Sequence, residues 1–153
     1  PSLPPGYFAR VNSALESATI YGDVLVFNLQ QVDHPEIVAE MADFLLRAEG
    51  VEVAFGIGEF AGEGIVSLRT SDLTINAGSL IQQVTAGFGS SGGHGLIAGG
   101  QIHPLPGNAA ERMALEAEMV QRLLVALGRD ANVSRPLLVD QQPVTSYQQP
   151  ARD

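Results

Sequence analysis

After Pro4 and Pro5, apolar residues recur at three- and four-residue intervals (Phe8, Val11, Leu15, Ala18), the spacing that lines one face of a helix, and Gly22 is its expected stop. The run DVLVFNL from Asp23 is short, β-branched and aromatic, which fits a buried strand. In VDHPE, Asp33 is placed to cap a second helix, with Pro35 in its first turn and Glu36 as the capping-box acid. Ile37, Met41, Phe44, Leu45 and Ala48 form its apolar face, and Gly50 ends it. VEVAFGI and GIVSLRT then alternate with period two around the glycines of EFAGEG, predicting a β-hairpin. Residues 76–87 read as a helix with Leu80, Ile81 and Val84 inward and Phe88 beyond it available to the core, followed by the glycine-rich stretch GFGSSGGHGLIAGG. A short strand, QIHPLP, precedes the longest helix, Ala109 to Leu127, with Met119, Val120, Leu123, Leu124 and Leu127 inward and Gly128 as its stop. The order predicts an α/β (mixed α+β) domain: a mixed sheet of four or five strands covered by helices.

Composition narrows the classes. With 153 residues, 45% hydrophobic and 16% charged, the chain fits one globular core. Acids outnumber bases 17 to 8 and every base is Arg, so a generic polyanion-binding surface is not expected. Cysteine is absent, which excludes disulfides, thiolate catalysis and Cys-ligated metal. No apolar run approaches the roughly 20 residues that span a bilayer, so no membrane association is expected. The start PSLPPGYFAR lacks Met and a signal pattern and reads as an excised or processed piece. Asp130 to Asp153, rich in Pro and Gln, reads as a tail over the domain, with Leu137, Leu138 and Val139 as its docking residues.

Two segments carry candidate chemistry. In Gly87–Gly100, consecutive glycines permit positive φ and let backbone N–H groups converge on an anion, and a helix starting near Leu96 would add its positive end, with His94 as a further donor. The spacing matches neither a P-loop nor GxGxxG, and a loop that lets a helix pack closely on a strand is the structural alternative. In SLRTS, Ser67, Arg69 and Ser71 share one strand face while Val66 and Leu68 take the other. A guanidinium between two hydroxyls suits a phosphate or carboxylate, and pairing of Arg69 with Asp72 or Glu63 is the alternative. His103 is expected at the surface, Glu59 and Glu63 in a solvated turn, and Arg112 and Glu116 as a surface pair. Asp33-His34 is followed by Pro35, and capping accounts for Asp33 without a metal.

A strand SLRTS, a helix, and then Ser90, Ser91-Gly92-Gly93-His94 and Ile97-Ala98-Gly99 resemble the C-terminal associated domain of the DHH phosphoesterases, over about Val24 to Gly107. That family includes RecJ-like exonucleases, oligoribonucleases, cyclic-dinucleotide phosphodiesterases and exopolyphosphatase-related proteins, in which a GGGH loop is followed by Ala-Ala-Gly. Ser91 stands at the first Gly of that loop and Ile97 at the first Ala. The resemblance implies residues 1–22 as a linker helix and 23–129 as a substrate-binding domain, ahead of the 130–153 tail read from composition. It also implies that Ser67, Arg69, Ser71, Ser90, Ser91, Gly92, Gly93 and His94 bind a phosphate or terminal nucleotide. A separate N-terminal DHH domain would then carry manganese-dependent hydrolysis, so that this chain alone has no catalytic residues and no cofactor. The implied partners are that domain and a nucleotide, short oligonucleotide or other phosphoester, in the cytoplasm, with a homodimer left open. Because the chain is acidic, the fitting version is a small concave site whose local cations and N–H groups dominate within a screening length of about 8–10 Å.

Overall fold

The computed structural model describes residues 1–139. Its elements are α1 (Pro5–Ser17), β1 (Thr19–Tyr21), β2 (Val24–Gln31), α2 (Glu36–Leu45), β3 (Val53–Phe60), β4 (Glu63–Thr70), α3 (Ala77–Thr85), β5 (Gly89–His94), β6 (Ile97–Ile102), α4 (Ala109–Leu127) and β7 (Arg135–Pro136). The strands form one mixed sheet in the order β5-β6-β4-β3-β2-β1-β7. The α/β class stands, but there are seven strands rather than four or five. Only β2 and β3 run parallel, joined by the α2 crossover that such a pair requires.

Besides the two-residue β7 in the expected tail, the extra strands come from two places where a local signal was outweighed by sheet pairing. Thr19, Ile20 and Tyr21 leave the helical pattern, because a β-branched and aromatic triplet beside β2 gains ladder bonds across a two-residue turn at Gly22, whose φ is 64°. Helix α1 therefore ends at Ser17, with Ala14 buried and Phe8 exposed instead of inward. The glycine-rich stretch is the second place. It forms the hairpin β5–β6 around Gly95-Leu96, so no helix starts at Leu96. The turn is held from both sides: the Gly95 carbonyl accepts from Ala77 N at 2.8 Å and the Leu96 carbonyl from Thr70 N at 3.1 Å.

Side-chain alternation divides the core in two. Val24, Val26, Val53, Phe55, Ile57, Val66 and Leu68 face α3 and α4. Leu25, Phe27, Leu29 and Ala54 face α1 and α2. Helix α2 begins without the expected box: Pro35 is its N-cap, no side chain caps it, and Phe44 is half exposed. Asn76 and Asn108 cap α3 and α4, accepting from Ser79 N and Glu111 N. Helix α4 has the predicted bounds and ends at Gly128 with φ 70°. Arg135 and Pro136 pair with β1, and Leu137 packs on the α1/α2 side with its N–H donated to the Ala18 carbonyl. Leu138 and Val139 are exposed, and the rest of the expected tail, 140–153, lies outside the described residues.

Candidate functional site

The hairpin register decides which side chains meet. On the face opposite α3, the residues of β4, β6 and β5 stand in three rows: Arg69, Ile97 and His94; Ser67, Gly99 and Gly92; Ile65, Gln101 and Ser90. Helix α2 lies over β3 and β4 and bounds these rows on one side. The result is a shallow cleft whose walls include Pro35 and Glu36 at the start of α2, Ile65, Ser67, Ser90 and Gln101.

The glycines sort by what a side chain would meet. A Cβ on Gly89, Gly93 or Gly100 would fall 1.9–2.6 Å from its nearest strand atom, and one on Gly78 of α3 would fall 2.2 Å from the Gly93 carbonyl oxygen. Gly89, Gly93 and Gly100 let β5 and β6 approach each other, and Gly78 lets α3 lie against β5, the helix-on-strand packing of the structural alternative. Gly92 and Gly99 differ. A Cβ on Gly92 meets nothing within 4 Å, and one on Gly99 touches only the Val66 carbonyl at 3.4 Å, so packing does not require glycine at either position. Gly99 lines the cleft beside Ser67, and Gly92 is its register partner on β5.

In the row next to the cleft, Arg69, its side chain only 13% exposed, is held by three bonds: Nε donates to Asp43 Oδ1 at 2.8 Å, and NH1 donates to the Leu68 and Ala98 carbonyls at 3.0 and 3.1 Å. Arg69 does pair with an acid, but the acid is Asp43 of α2, not Asp72 or Glu63, because α2 crosses this face. His94 is exposed on the neighbouring edge strand. Of the predicted set, Ser67, Arg69, Ser90, Gly92 and His94 therefore share one face. Ser71 lies beyond the end of β4, where its N–H donates to the Glu52 carbonyl. Ser91 and Gly93 point to the α3 side, and the Ser91 hydroxyl lies 2.7 Å from that of Thr85. Gln101, Ile65, Glu36 and Asp43 were missed. Period-two alternation through Ile97, Gly99 and Gln101 is the signal that finds Gln101 once the glycine-rich stretch is read as strand.

Other polar groups act structurally. Glu59 lies on β3, not in a turn, and accepts from Gln31 Nε2 at 2.9 Å, with Arg112 NH1 at 3.4 Å. Arg112 thus pairs across to the sheet instead of with Glu116, which accepts from Asn28 Nδ2 at 2.9 Å. Burial holds the Glu116 carboxyl above its ordinary value; the Asn28 bond pulls the other way and the Glu59 charge adds to the rise. His103 is exposed, as expected, with Nδ1 3.5 Å from Glu63. Among the described residues, no three His, Asp or Glu side chains converge as they would around a metal ion.

These features define an α/β domain whose mixed sheet carries α3 and α4 on one face and α1 and α2 on the other, where the cleft stays open beside α2. The DHHA1 domain model matches residues 22–126, so the chain belongs to that family, the DHH-associated domain its strand and glycine pattern resembled. An uncharacterised protein of Methanocaldococcus jannaschii is 27% identical over 90 residues, 59% of this chain; the match spans only 18% of that protein's length. The fold is shared with an exopolyphosphatase-related protein from Bacteroides fragilis (TM-score 0.60, 15% identity, 83% of this chain and 37% of that one). It is also shared with the C-Ala domain of Aquifex aeolicus alanyl-tRNA synthetase (TM-score 0.50, 22% identity, 67% of this chain and 96% of that one). No helix among the described residues is long and apolar enough to cross a membrane.

Proposed function

We propose that this chain is the substrate-holding half of a DHH-type phosphoesterase: its open sheet face grips a phosphate or terminal nucleotide while a separate N-terminal DHH domain performs manganese-dependent hydrolysis. The observation that carries the reading is the pair Gly92 and Gly99, two neighbouring glycines with no packing need, on the face that also presents Ser67, Arg69, Ser90 and His94. A missing Cβ that nothing in the fold fills leaves room for a ligand to lie on the backbone. Arg69 is preorganised by its three bonds, so engaging a phosphate does not require ordering a flexible side chain. The Asp43 carboxylate offsets part of its charge, consistent with weak binding by this half-site alone. The match to an exopolyphosphatase-related protein adds support at the level of fold.

A two-dimensional amide NMR titration with a 5′-phosphorylated dinucleotide, at low and then physiological salt, tests this. Shifts confined to Ser67, Arg69 and residues 89–101 are expected. An unchanged spectrum at millimolar ligand would refute the reading and leave the hairpin as a packing device in an assembly module.

A further inference from the structure

The sheet face that carries α3 and α4 is not fully closed. Helix α4 packs beside α3, and a trough remains between α4 and the β1–β2 end of the sheet. Its first stretch, about 440 Å³, runs between Thr19, Tyr21 and Val26 on the strands and Ala117, Val120 and Leu124 on the helix. A second stretch of about 400 Å³ adjoins it, because Ser17, Met113 and Glu116 line both, and adds Asn28 and Gln30 to the polar lining. Met113, where the two stretches meet, is 69% exposed. We propose that this trough seats residues 140–153 of the same chain, with Val144 and Tyr147 against the apolar helix wall. The seat lies across the sheet from the cleft beside α2 and is independent of the phosphate-holding reading.

The path of the chain leads there. Strand β7 sets Pro136 opposite Thr19, and the Leu137 N–H donates to the Ala18 carbonyl, so the described chain ends at Val139, close to Ser17 on the trough. The helix wall from Met113 to Leu124 is about 17 Å long at roughly 1.5 Å per residue. The 14 residues after Val139 reach up to about 46 Å when extended, ample for that wall. Their chemistry matches as well. Pro143 and Pro150 favour extended backbone, and the charged residues Asp140, Arg152 and Asp153 stand at the two ends, leaving Gln141 to Ala151 uncharged. The helix wall at Met113, Ala117, Val120, Gln121 and Leu124 is uncharged too, so seating the segment there desolvates no ion. Glu116, the carboxylate on this stretch, already accepts from Asn28 Nδ2. The glutamines at 141, 142, 148 and 149 carry amides that both donate and accept, as do those of Asn28, Gln30 and Gln121 in the lining. Tethering decides between occupants. A segment on a short linker meets the trough at an effective concentration of about millimolar, whereas a second copy with the same net charge of −9 is repelled.

The test is paramagnetic NMR on the 153-residue chain, which has no cysteine, so that Ser146→Cys takes a single nitroxide label. The amides of Thr19, Ala117, Val120 and Gln121 should lose at least about half their intensity until the label is reduced. Those of α3 and β5 should keep theirs. Ala117→Glu in the labelled chain puts bulk and charge into the trough at an exposed helix position, where the fold tolerates it, and should abolish the loss at Thr19, Val120 and Gln121. Loss that persists in Ala117→Glu, that falls instead on α3 or β5, or that is absent throughout would overturn the proposal. Loss passed between molecules, seen when nitroxide-bearing chains are mixed with isotope-enriched chains lacking the label, would assign the trough to a second copy and overturn it equally.

Discussion

The contact between α3 and the glycine hairpin can be tested by one methyl group. Placing a Cβ at Gly78 sets it 2.2 Å from the Gly93 carbonyl oxygen, 2.7 Å from its carbon and 3.2 Å from its nitrogen, where ordinary contact begins at 3.4 Å. All three are backbone atoms of β5, so no side chain can rotate away, and relief requires helix and strand to part by about an ångström. Overpacking of this kind costs about 1–3 kcal/mol. Replacing a helical glycine by alanine returns up to about 1 kcal/mol of propensity, and less here because Gly78 lies in the first turn of α3. Gly78→Ala should therefore destabilise the domain by about 1–2 kcal/mol, which for a chain of this length lowers the melting temperature by about 2–8 °C. Urea unfolding followed by far-ultraviolet circular dichroism reads the change as a lower midpoint at unchanged slope. Gly92→Ala is the control: nothing lies within 4 Å of its added Cβ, and its φ is not in the left-handed region, so its midpoint should equal or slightly exceed that of the parent. Equal or greater stability of Gly78→Ala would refute the argument that these glycines exist for close approach.

Two further predictions concern pH. Glu116 has a folded pKa raised by burial, so its charged form opposes folding at neutral pH, and the penalty fades as pH falls through the raised value toward the ordinary one. Glu116→Gln, which can still accept from Asn28, should raise the urea midpoint at neutral pH and lose that advantage in acid; an advantage independent of pH would show that burial of the charge is not its cause. Asp23 has the opposite sign. Its hydrogen bonds from Arg129, at 2.7 and 3.0 Å, lower its folded pKa. The pair's contribution is therefore complete above the ordinary carboxylate value and disappears as pH falls through the lowered one. Because both side chains remain partly exposed, Arg129→Gln should cost only about 0.5 kcal/mol at neutral pH, and its midpoint should converge with the parent's once Asp23 is protonated.

Local pattern alone determined a large part of this protein. The predicted bounds of α4 are those observed, because a long amphipathic period closed by a glycine with positive φ is settled within the segment itself. The alternation around EFAGEG identified the β3–β4 hairpin for the same reason, and it placed Ser67 and Arg69 on one face before any fold was known. The strand, helix and glycine pattern also carried the family resemblance that the DHHA1 match bears out. What remained depended on neighbours distant in the chain. Thr19–Tyr21 and Gly89–Ile102 have weak or ambiguous signals by themselves, and their strand character comes from ladder bonds to β2 and β4. Glycine has no side-chain periodicity to read, so which of these glycines serve packing and which do not was decided only when α3 took one face of the hairpin and left the other uncovered. The partners of Arg69 and Arg112 were decided in the same way, by which helix crosses which strand: both cations found acids, but acids brought to them by the tertiary structure and not those nearest in sequence.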